Sequence, residues 1–529
     1  MRKKSPNTPQ IFRSMTALST TLAFVAGAAM AADVSLVSPD GSIDVKGELL
    51  EFEGGQYLVR TDLGDLRVDA NQITCSGPGC PRIQPEADVV NVSGSDAMAN
   101  GIMPLLLEGY ASVNDAAPTT ERHSVVATTE FVGNQGFGDT VANFRVVGSI
   151  SSDAFANLLG KSADIGLSSR RILPTEVEAL RRSGAGNMVD PSQEHIVALD
   201  SLVVITHPSN PIQQLSFDQL RGIYGGSITN WSQVGGKDAE IDVVQLLDGA
   251  GAKSVFQDRI FGNTVSGVPG RTIQAEGSRN VATLVNDNEN AIGYVPFAFQ
   301  RGAKPLTLIN DCGIAMSPDP FSARTEEYAL QRFLYMYTRA GESNDLPVEF
   351  VNYVTSPKAD PLIAKAGFID LGVSRQEQSL LSSRARQLLK GEAKNQEVVL
   401  TPGLLSQMAT HDRLSSTFRF RSGSQNLTER GEINMRRLVD FLADQPKGTK
   451  LTFAGFTDDV GAFQENQRLG QRRAARVMNA LQSQAGGLLD GIQMEAVGYG
   501  ELAPSACNTS EDGRALNRRV EVWIENANG

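Results

Sequence analysis

The sequence contains few of the residues that build metal centres and general acid–base sites. Its 529 residues include four histidines and four cysteines. No serine or cysteine stands in a recognisable nucleophile motif. The histidines are scattered, without the spacing of metal ligands, at positions 123, 195, 207 and 411. We therefore expect a protein that is not an enzyme and that binds neither a metal ion nor a cofactor.

Basic residues are outnumbered by acidic ones, and the formal net charge is −12 at pH 7. Proteins that bind DNA or RNA depend largely on Lys and Arg to neutralise phosphates. This balance argues against a nucleic-acid partner. Hydrophobic residues make up 41% of the chain and charged residues 20%, which is ordinary for a globular protein. The length predicts three or four domains.

A long apolar run is found near the start of the sequence and not again. Basic residues precede the run at 15–31, which ends in the small-residue motif Ala29-Met30-Ala31. This order is typical of a secretory signal peptide. A membrane anchor is the alternative, but the run is short and contains several Ser and Thr residues. We expect residues 1–31 to be removed after Ala31 and the mature protein to be exported.

Export changes how the cysteines are interpreted. Cys75 and Cys80 flank a Gly- and Pro-containing loop, so an oxidising compartment favours a local disulfide over a zinc knuckle, which needs further ligands. Cys312 and Cys507 lie far apart, and the sequence leaves open whether they meet. Around the first pair, residues 33–85 alternate in polarity between glycine turns. That pattern predicts a small β-rich module for interaction or spacing.

Residues 86–372 alternate short apolar strands with amphipathic helices. This alternation predicts α/β layers with largely parallel strands. Three strands end in loops rich in Gly or Ser directly before a helix, at 93–95, 148–151 and 249–251. Such loops can bind anions through helix N-termini, although the same residues also simply cap helices.

Five stretches of this region carry a family resemblance. LSFDQLRGIYGGSITNWSQVGG at 215–236 resembles the signature of phosphate-binding proteins that serve ABC uptake systems. The stretches at 92–111, 162–172, 288–299 and 362–371 agree with it in order. The resemblance implies a two-lobed periplasmic binding protein whose lobes close around a ligand.

The ligand loop departs from that family. Its members usually carry Arg-x-x-Gly-Ser-Gly-Thr, whereas here Leu246 replaces the arginine and alanines at 250 and 252 replace the hydroxyl residues. A dehydrated oxyanion needs such donors, so we expect weakened or altered binding of phosphate or another small anion. High-affinity phosphate capture and a ligand-free scaffold for envelope proteins are the alternatives. The candidate anion-binding residues are Ser95, Ser149, Ser169, Gly249 and Lys253.

Residues 373–412 are polar and helix-prone, which predicts a solvated helical linker. From 413 to 529 the order β-α-β-α-β-β is typical of a mixed sheet covered by helices on one side. In its second helix, Leu469 and Val477 mark an apolar stripe on which Arg473 lies. A buried arginine needs a carboxylate or a bound anion, and Asp458 ends the preceding strand. By geometry alone, a structural salt bridge and a ligand site are equally open.

Four motifs in this last region are similar to the OmpA-like peptidoglycan-binding family: GFTDDVG at 455–461, NQRLGQRRAARV at 466–477, VGYGELAP at 497–504 and GRALNRRVEV at 513–522. Members bind the diaminopimelate residue of stem peptides. The resemblance implies that Asp458 holds the ligand's ammonium and Arg473 its carboxylate, with Thr457 and Asn466 framing the site. Two positions differ, because members often have histidine at 456 and serine at 470, and Gly470 is expected to weaken its helix.

The sequence thus predicts a multidomain α/β and α+β protein of the Gram-negative periplasm. A small N-terminal β module precedes a two-lobed binding-protein domain and an OmpA-like βαβαββ domain. The expected partner is peptidoglycan, together with a small anion or other envelope proteins.

Overall fold

The computed structural model describes residues 33–526, except 39–40, 54–55, 71–72, 81–88, 135–139, 249, 263–268, 342–343, 391–396 and 421–426. The expected signal peptide, residues 1–31, lies outside the described residues. The chain divides into two compact units, Met1–Ile83 and Gln84–Gly529. Among the helices of the described part, none is both long and apolar enough to cross a membrane.

The N-terminal unit is the predicted small β module. Its antiparallel sheet has the order β4-β3-β2-β1-β5 and buries Leu36, Tyr57 and Val59. A disulfide joins Cys75 to Cys80, the pair that their spacing favours. The strands are β1 (Asp33–Val37), β2 (Asp44–Glu53), β3 (Gln56–Thr61), β4 (Gly64–Asp69) and β5 (Thr74–Ser76).

The second unit begins with an α/β domain in two lobes. Its strands are β6 (Val89–Ser95), β7 (Ala116–His123), β8 (Val126–Gly133), β9 (Thr140–Ser149), β10 (Ile165–Ser168), β11 (Glu194–Thr206), β12 (Gln214–Ser216), β13 (Asp242–Leu246), β14 (Arg271–Ala275), β15 (Ala291–Pro296), β16 (Lys304–Pro305), β17 (Thr307–Ile309), β18 (Ala315–Met316) and β19 (Gln331–Thr338). Its helices are α1 (Asp96–Gly101), α2 (Met103–Val113), α3 (Ser151–Leu159), α4 (Pro174–Arg182), α5 (Phe217–Gly225), α6 (Gly251–Phe261), α7 (Ser278–Asn286), α8 (Pro320–Arg324), α9 (Leu346–Thr355) and α10 (Asp360–Lys365).

Strand β11 connects the two lobes. Its residues 194–201 pair with β19, whereas residues 202–206 pair with β15. The first lobe contains β6–β10 and the second β12–β18, in the order β14-β13-β15-β11-β19-β10-β6-β9-β8-β7 along the main sheet. Strand β6 runs parallel to β9 and β10, and β13 runs parallel to β14 and β15. The carboxyl ends of these parallel strands meet between the lobes, where open α/β sheets bind ligands.

The second unit ends in a five-stranded mixed sheet with the order β20-β21-β24-β22-β23. Its elements are β20 (Arg375–Gln376), α11 (Ser383–Lys390), α12 (Glu397–Thr410), β21 (His411–Arg419), α13 (Glu429–Ala443), β22 (Lys450–Phe456), α14 (Phe463–Ala485), β23 (Gln493–Gly500), α15 (Glu511–Asn517) and β24 (Arg519–Glu525).

Helices cover both faces of this sheet, whereas we expected one. On the first face, α13 and α14 bury Phe453 and Val522. On the second face, Leu404 and Met408 of α12 are fully buried against Trp523. The expectation of a solvated linker over 373–412 is therefore wrong, because an apolar stripe on α12 covers aromatic side chains that the sheet would otherwise expose.

The C-terminal domain contacts the first lobe and the segment between α8 and β19 through buried arginines. Arg437 Nη1 lies 2.7 Å from Asp360 Oδ2 of the first lobe. Arg413 Nη2 lies 2.7 Å from Glu327 Oε1 beside β19. Both arginines are less than a tenth exposed. Losing one partner would leave a buried charge unpaired, so the contact favours one fixed arrangement.

The second lobe is joined to the same domain covalently. Cys312 lies in the turn between β17 and β18 and forms a disulfide with Cys507, in the loop before α15. The sequence left this pairing open. The C-terminal domain thus contacts both lobes of the binding-protein domain.

Candidate functional site

Asp458 lies at the carboxyl end of β22 and is 9% exposed. Its Oδ2 accepts a hydrogen bond from Arg518 Nη1 at 2.8 Å, and its Oδ1 accepts one from the Val460 amide at 3.2 Å. Arg518 Nη2 also lies 2.6 Å from Glu511 Oε1. Sequence reasoning missed Arg518, although it stands in the GRALNRRVEV motif as one of two adjacent arginines. The ion pair of Asp458 is therefore with Arg518 and not with Arg473.

Thr457 and Asn466 are buried, and both hydrogen-bond to the Asp458 backbone. Thr457 Oγ1 donates to the Asp458 carbonyl at 2.9 Å. Asn466 Nδ2 donates to the same carbonyl at 3.3 Å and to Glu501 Oε2 at 3.1 Å. These two residues fix the backbone that presents the Asp458 carboxylate, which is a positioning role.

Arg473 of α14 has an unsatisfied donor. Its guanidinium carbon lies 5.8 Å from the centroid of the Phe420 ring. Its Nη1 is buried and has no hydrogen-bond partner within the described part of the chain. Burial and the neighbouring Arg518 lower the pKa of Arg473, and Asp458 opposes this shift. A buried donor without a partner is unusual in folded proteins, and it leaves Arg473 Nη1 available to donate to a ligand.

Arg473 flanks the buried stripe of α14 instead of lying on it. The buried residues of that helix are Asn466, Gly470, Ala474, Val477, Leu481 and Ala485. Leu469 is only half-buried, so using it to define the apolar stripe placed the buried face of α14 incorrectly. A Cβ atom on Gly470 would lie 2.5 Å from the Gly455 carbonyl oxygen. Glycine at 470 therefore allows the helix to lie close to β22, a role that the expected weakening of the helix overlooked.

A second candidate site is a cavity of about 350 Å³ between the lobes of the binding-protein domain. Ser149 and Ser169 line it from the first lobe, Gly251 and Ser278 from the second. Arg332 of β19 reaches it from the strands that connect the lobes. The N-terminal ends of α6 and α7 border the same space, as expected for a ligand cleft.

Two of the five predicted anion-binding residues, Ser149 and Ser169, line this cavity. Ser95 is buried at the end of β6 and is not among the lining residues. Gly249 lies outside the described residues. Lys253 Nζ pairs with Asp248 Oδ1 at 2.8 Å and borders a different cavity.

Sequence reasoning missed Arg332, which is the buried cation of the cleft. Its side chain is 3% exposed. Nε and Nη2 donate to Asp200 Oδ2 at 2.9 and 2.7 Å, whereas no described residue accepts a hydrogen bond from Nη1. The Ser149 hydroxyl is likewise buried and unpartnered in the described part. The available signal was an arginine inside the apolar strand QRFLYMYT, because a charge in such a strand needs a partner.

Asp96, at the start of α1, places a carboxylate in the same cavity. Burial raises its pKa, while the backbone amide of Ala97 and the charge of Arg332 lower it. No cation of the described residues forms an ion pair with it. The cleft therefore presents an available N–H, an available hydroxyl and a carboxylate that backbone amides, but no cation at ion-pair distance, stabilise.

Comparison with known families matches the two parts of the second unit separately. Residues 83–358 match the PBP superfamily domain, and residues 419–518 match the OmpA family. The chain belongs to the PBP superfamily and carries a C-terminal OmpA-family domain, which confirms both resemblances and the predicted fold classes. Both families are typically non-enzymatic.

The relatives also divide between the two parts. The phosphate-binding protein PstS of Bacillus subtilis is 28% identical over 186 residues, which are 34% of this chain and 60% of that protein. The outer membrane porin F of Pseudomonas aeruginosa is 37% identical over 113 residues, which are 21% of this chain and 31% of the porin. The chain thus spans less than two thirds of either relative.

Among solved structures, an ABC-type phosphate transport receptor from Vibrio cholerae is 25% identical with a TM-score of 0.40. The alignment covers 53% of this chain and 99% of the receptor.

Proposed function

We propose that this protein is a periplasmic solute-binding or sensing protein. Its C-terminal domain binds peptidoglycan and so anchors the protein to the cell wall. The observation that carries the proposal is the buried, unpartnered Nη1 of Arg473 in a site that also presents the Asp458 carboxylate. Diaminopimelate in a stem peptide carries an ammonium and a carboxylate on one carbon. Asp458 would bind the ammonium and Arg473 the carboxylate, which is electrostatic complementarity on a preformed site.

The test is co-sedimentation of the full chain with purified sacculi. Replacing Arg473 by alanine removes the carboxylate donor, at a cost of about 2–5 kcal/mol, so binding should fall more than tenfold. Asp458→Asn should weaken binding similarly. Arg472→Ala is the matched control, because Arg472 is an exposed arginine of the same helix. Thermal unfolding of each sample shows whether the variant is folded. Folded Arg473→Ala that sediments like the parent would contradict the proposal.

The proposed role of the middle domain is capture of a small solute with an anionic group in the cleft between the lobes. Its support is the available Nη1 of Arg332 beside the available hydroxyl of Ser149. Submicromolar phosphate binding is not expected, because the loop at 246–252 lacks the arginine and the hydroxyls of its family.

A wall-anchored scaffold is the second candidate. Leu246 and Leu247 favour it, because they line the cleft with apolar surface. The two candidates separate in calorimetric titrations of the full chain, since a scaffold would show no binding heat with any small solute.

A further inference from the structure

The chemistry of the cleft identifies a ligand class, on the condition that the middle domain binds a solute as proposed above. We infer that the cleft binds a small zwitterion of the α-amino acid type in place of phosphate. Arg332 and Ser149 would bind its carboxylate, and Asp96 would bind its ammonium.

The donors of the cleft suit one carboxylate. Nε and Nη2 of Arg332 are already used by Asp200, so one edge of the guanidinium remains available. The Ser149 hydroxyl adds a second donor on the same cavity wall. These two unpartnered side-chain donors match the two oxygens of a carboxylate. The amides at the N-terminal ends of α6 and α7 border the same cavity and can add further hydrogen bonds to it.

The charge balance disfavours an inorganic dianion. The charge of Arg332 is balanced by buried Asp200, with 2.7 Å between Arg332 Nη2 and Asp200 Oδ2. Asp96 and Glu276 then add two carboxylates to the cavity wall. Arg279 lies nearby, but its guanidinium faces the Phe299 ring at 5.9 Å and donates to the Asn100 carbonyl at 3.4 Å. A ligand with no net charge avoids the repulsion that phosphate would meet.

The carboxylate of Asp96 indicates that the ligand carries an ammonium group. Its carboxylate is in the cavity and forms no ion pair within the described residues. The backbone amides of Asp96 and Ala97 donate to this carboxylate, but no cation of the described residues lies at ion-pair distance from it. An α-ammonium next to the carboxylate held by Arg332 would supply that missing positive charge.

The size and lining of the cavity agree with this class. Its volume of about 350 Å³ falls in the range of pockets for small organic ligands. Leu246, Ala250 and Ala252 stand where phosphate-binding relatives carry polar donors, and they offer apolar surface to a short side chain. The same substitutions that remove phosphate donors thus suit an amino acid.

The experiment is calorimetric titration of the full chain with glycine, L-alanine, D-alanine, L-glutamate and, separately, inorganic phosphate. We expect at least one amino acid to bind at least 100-fold more tightly than phosphate. Asp96→Asn keeps the shape of the side chain but removes its charge, so amino-acid binding should fall more than tenfold. Asp287→Asn, at an exposed position after α7, removes the same charge away from the cleft and should leave binding unchanged.

Each outcome has a distinct meaning. Phosphate binding without amino-acid binding would overturn the inferred ligand class and leave solute capture standing. Failure of every probe to bind would overturn solute capture itself and favour the scaffold. Amino-acid binding that Asp96→Asn leaves unchanged in folded protein would overturn the role of Asp96.

Discussion

Glu429, in the first turn of α13, is a carboxylic acid that faces another acid across the contact with the first lobe. Glu194 is fully buried, lies 2.5 Å from Arg171 and accepts a hydrogen bond from Tyr337 at 2.9 Å. Arg171 Nη2 is 3.9 Å from Glu429 Oε2. Burial and then repulsion from Glu194 raise the pKa of Glu429 to about 7, against the opposing charge of Arg171. Protonated Glu429 is therefore the form that this contact favours.

This pKa predicts a pH dependence of stability. Between the ordinary value of 4.5 and about 7, the folded protein binds more protons than the unfolded chain, so stability falls as pH rises. Glu429 should thus contribute a higher unfolding temperature at pH 5 than at pH 8. Glu429→Gln should reduce that difference in calorimetry. Glu465→Gln, an exposed acid in the first turn of α14, is the control and should leave it unchanged. An unaltered difference in Glu429→Gln would contradict the prediction.

The sequence indicated the site residues that lie in recognisable motifs. It did not indicate buried charged residues that lie outside any motif. Asp458, Arg473, Thr457 and Asn466 were found because short motifs contain them. Arg332 lies in a strand without a motif, and its partner Asp200 lies on another strand. Whether such a charged side chain is paired or available to a ligand depends on the buried groups around it. Only the folded chain brings those groups together.

Among the secondary-structure elements, β22, β23 and α14 lie unusually close together. A Cβ atom on Gly455 would overlap the Gly470 carbonyl oxygen, and one on Gly498 would overlap the Gln467 carbonyl oxygen. Both obstacles are backbone atoms, which cannot move as a flexible side chain does. The closeness of helix and sheet places Arg473 near Asp458.

Gly455→Ala should therefore destabilise the C-terminal domain, by about 1–3 kcal/mol for overpacking. Gly403→Ala is the matched control, because Gly403 lies in α12 and a Cβ atom there meets nothing within 4 Å. The control should be neutral or more stable, by roughly 1 kcal/mol at most. Urea unfolding monitored by circular dichroism measures both. Equal stability of the two variants would show that the helix shifts to accept the methyl group.

The helices and strands were largely predictable from the sequence, but the face that each helix buries was not. Periodicity identified α13, α14 and the strands around them. It misjudged α14, because Asn466 and Gly470 are buried without being hydrophobic. It also misjudged α12, whose stripe at 400, 404 and 408 is covered by Trp523, more than a hundred positions later in the chain.

At the scale of the whole molecule, the disulfide between Cys312 and Cys507 is the covalent link from the second lobe to the C-terminal domain. Closing so long a loop restricts the unfolded chain, and a disulfide typically stabilises by about 2–4 kcal/mol. Because the first lobe contacts the same domain through Arg437 and Asp360, we expect the link also to restrain movement between the lobes.

Replacing both cysteines by serine should lower the unfolding temperature of the 84–529 unit in calorimetry. It should also speed amide exchange in β17 and β18, next to Cys312. The control is the double serine variant of Cys75 and Cys80, whose disulfide lies in the N-terminal unit. Unchanged exchange in β17 and β18 would show that noncovalent contacts alone restrain the second lobe.

The family resemblances gave the two domains of the 84–529 unit but not the contact between them. Neither family motif includes Glu327, Asp360 or Cys312. The partners of these residues, Arg413, Arg437 and Cys507, lie in a different domain. A resemblance that treats each domain alone carries no information about such pairs.

The same disulfide makes a closed covalent ring of residues 312–507, and both Asp458 and Arg473 are inside it. A stem peptide bound at these two residues, as proposed above, would apply mechanical load to the ring as the wall stretches. Tension on the site would then reach the second lobe through Cys507 and Cys312 without first extending residues 373–412. The disulfide gives tension a shorter path than residues 373–412 do, so the two paths would share the load in the oxidised protein, whereas the packed linker would carry it alone after reduction.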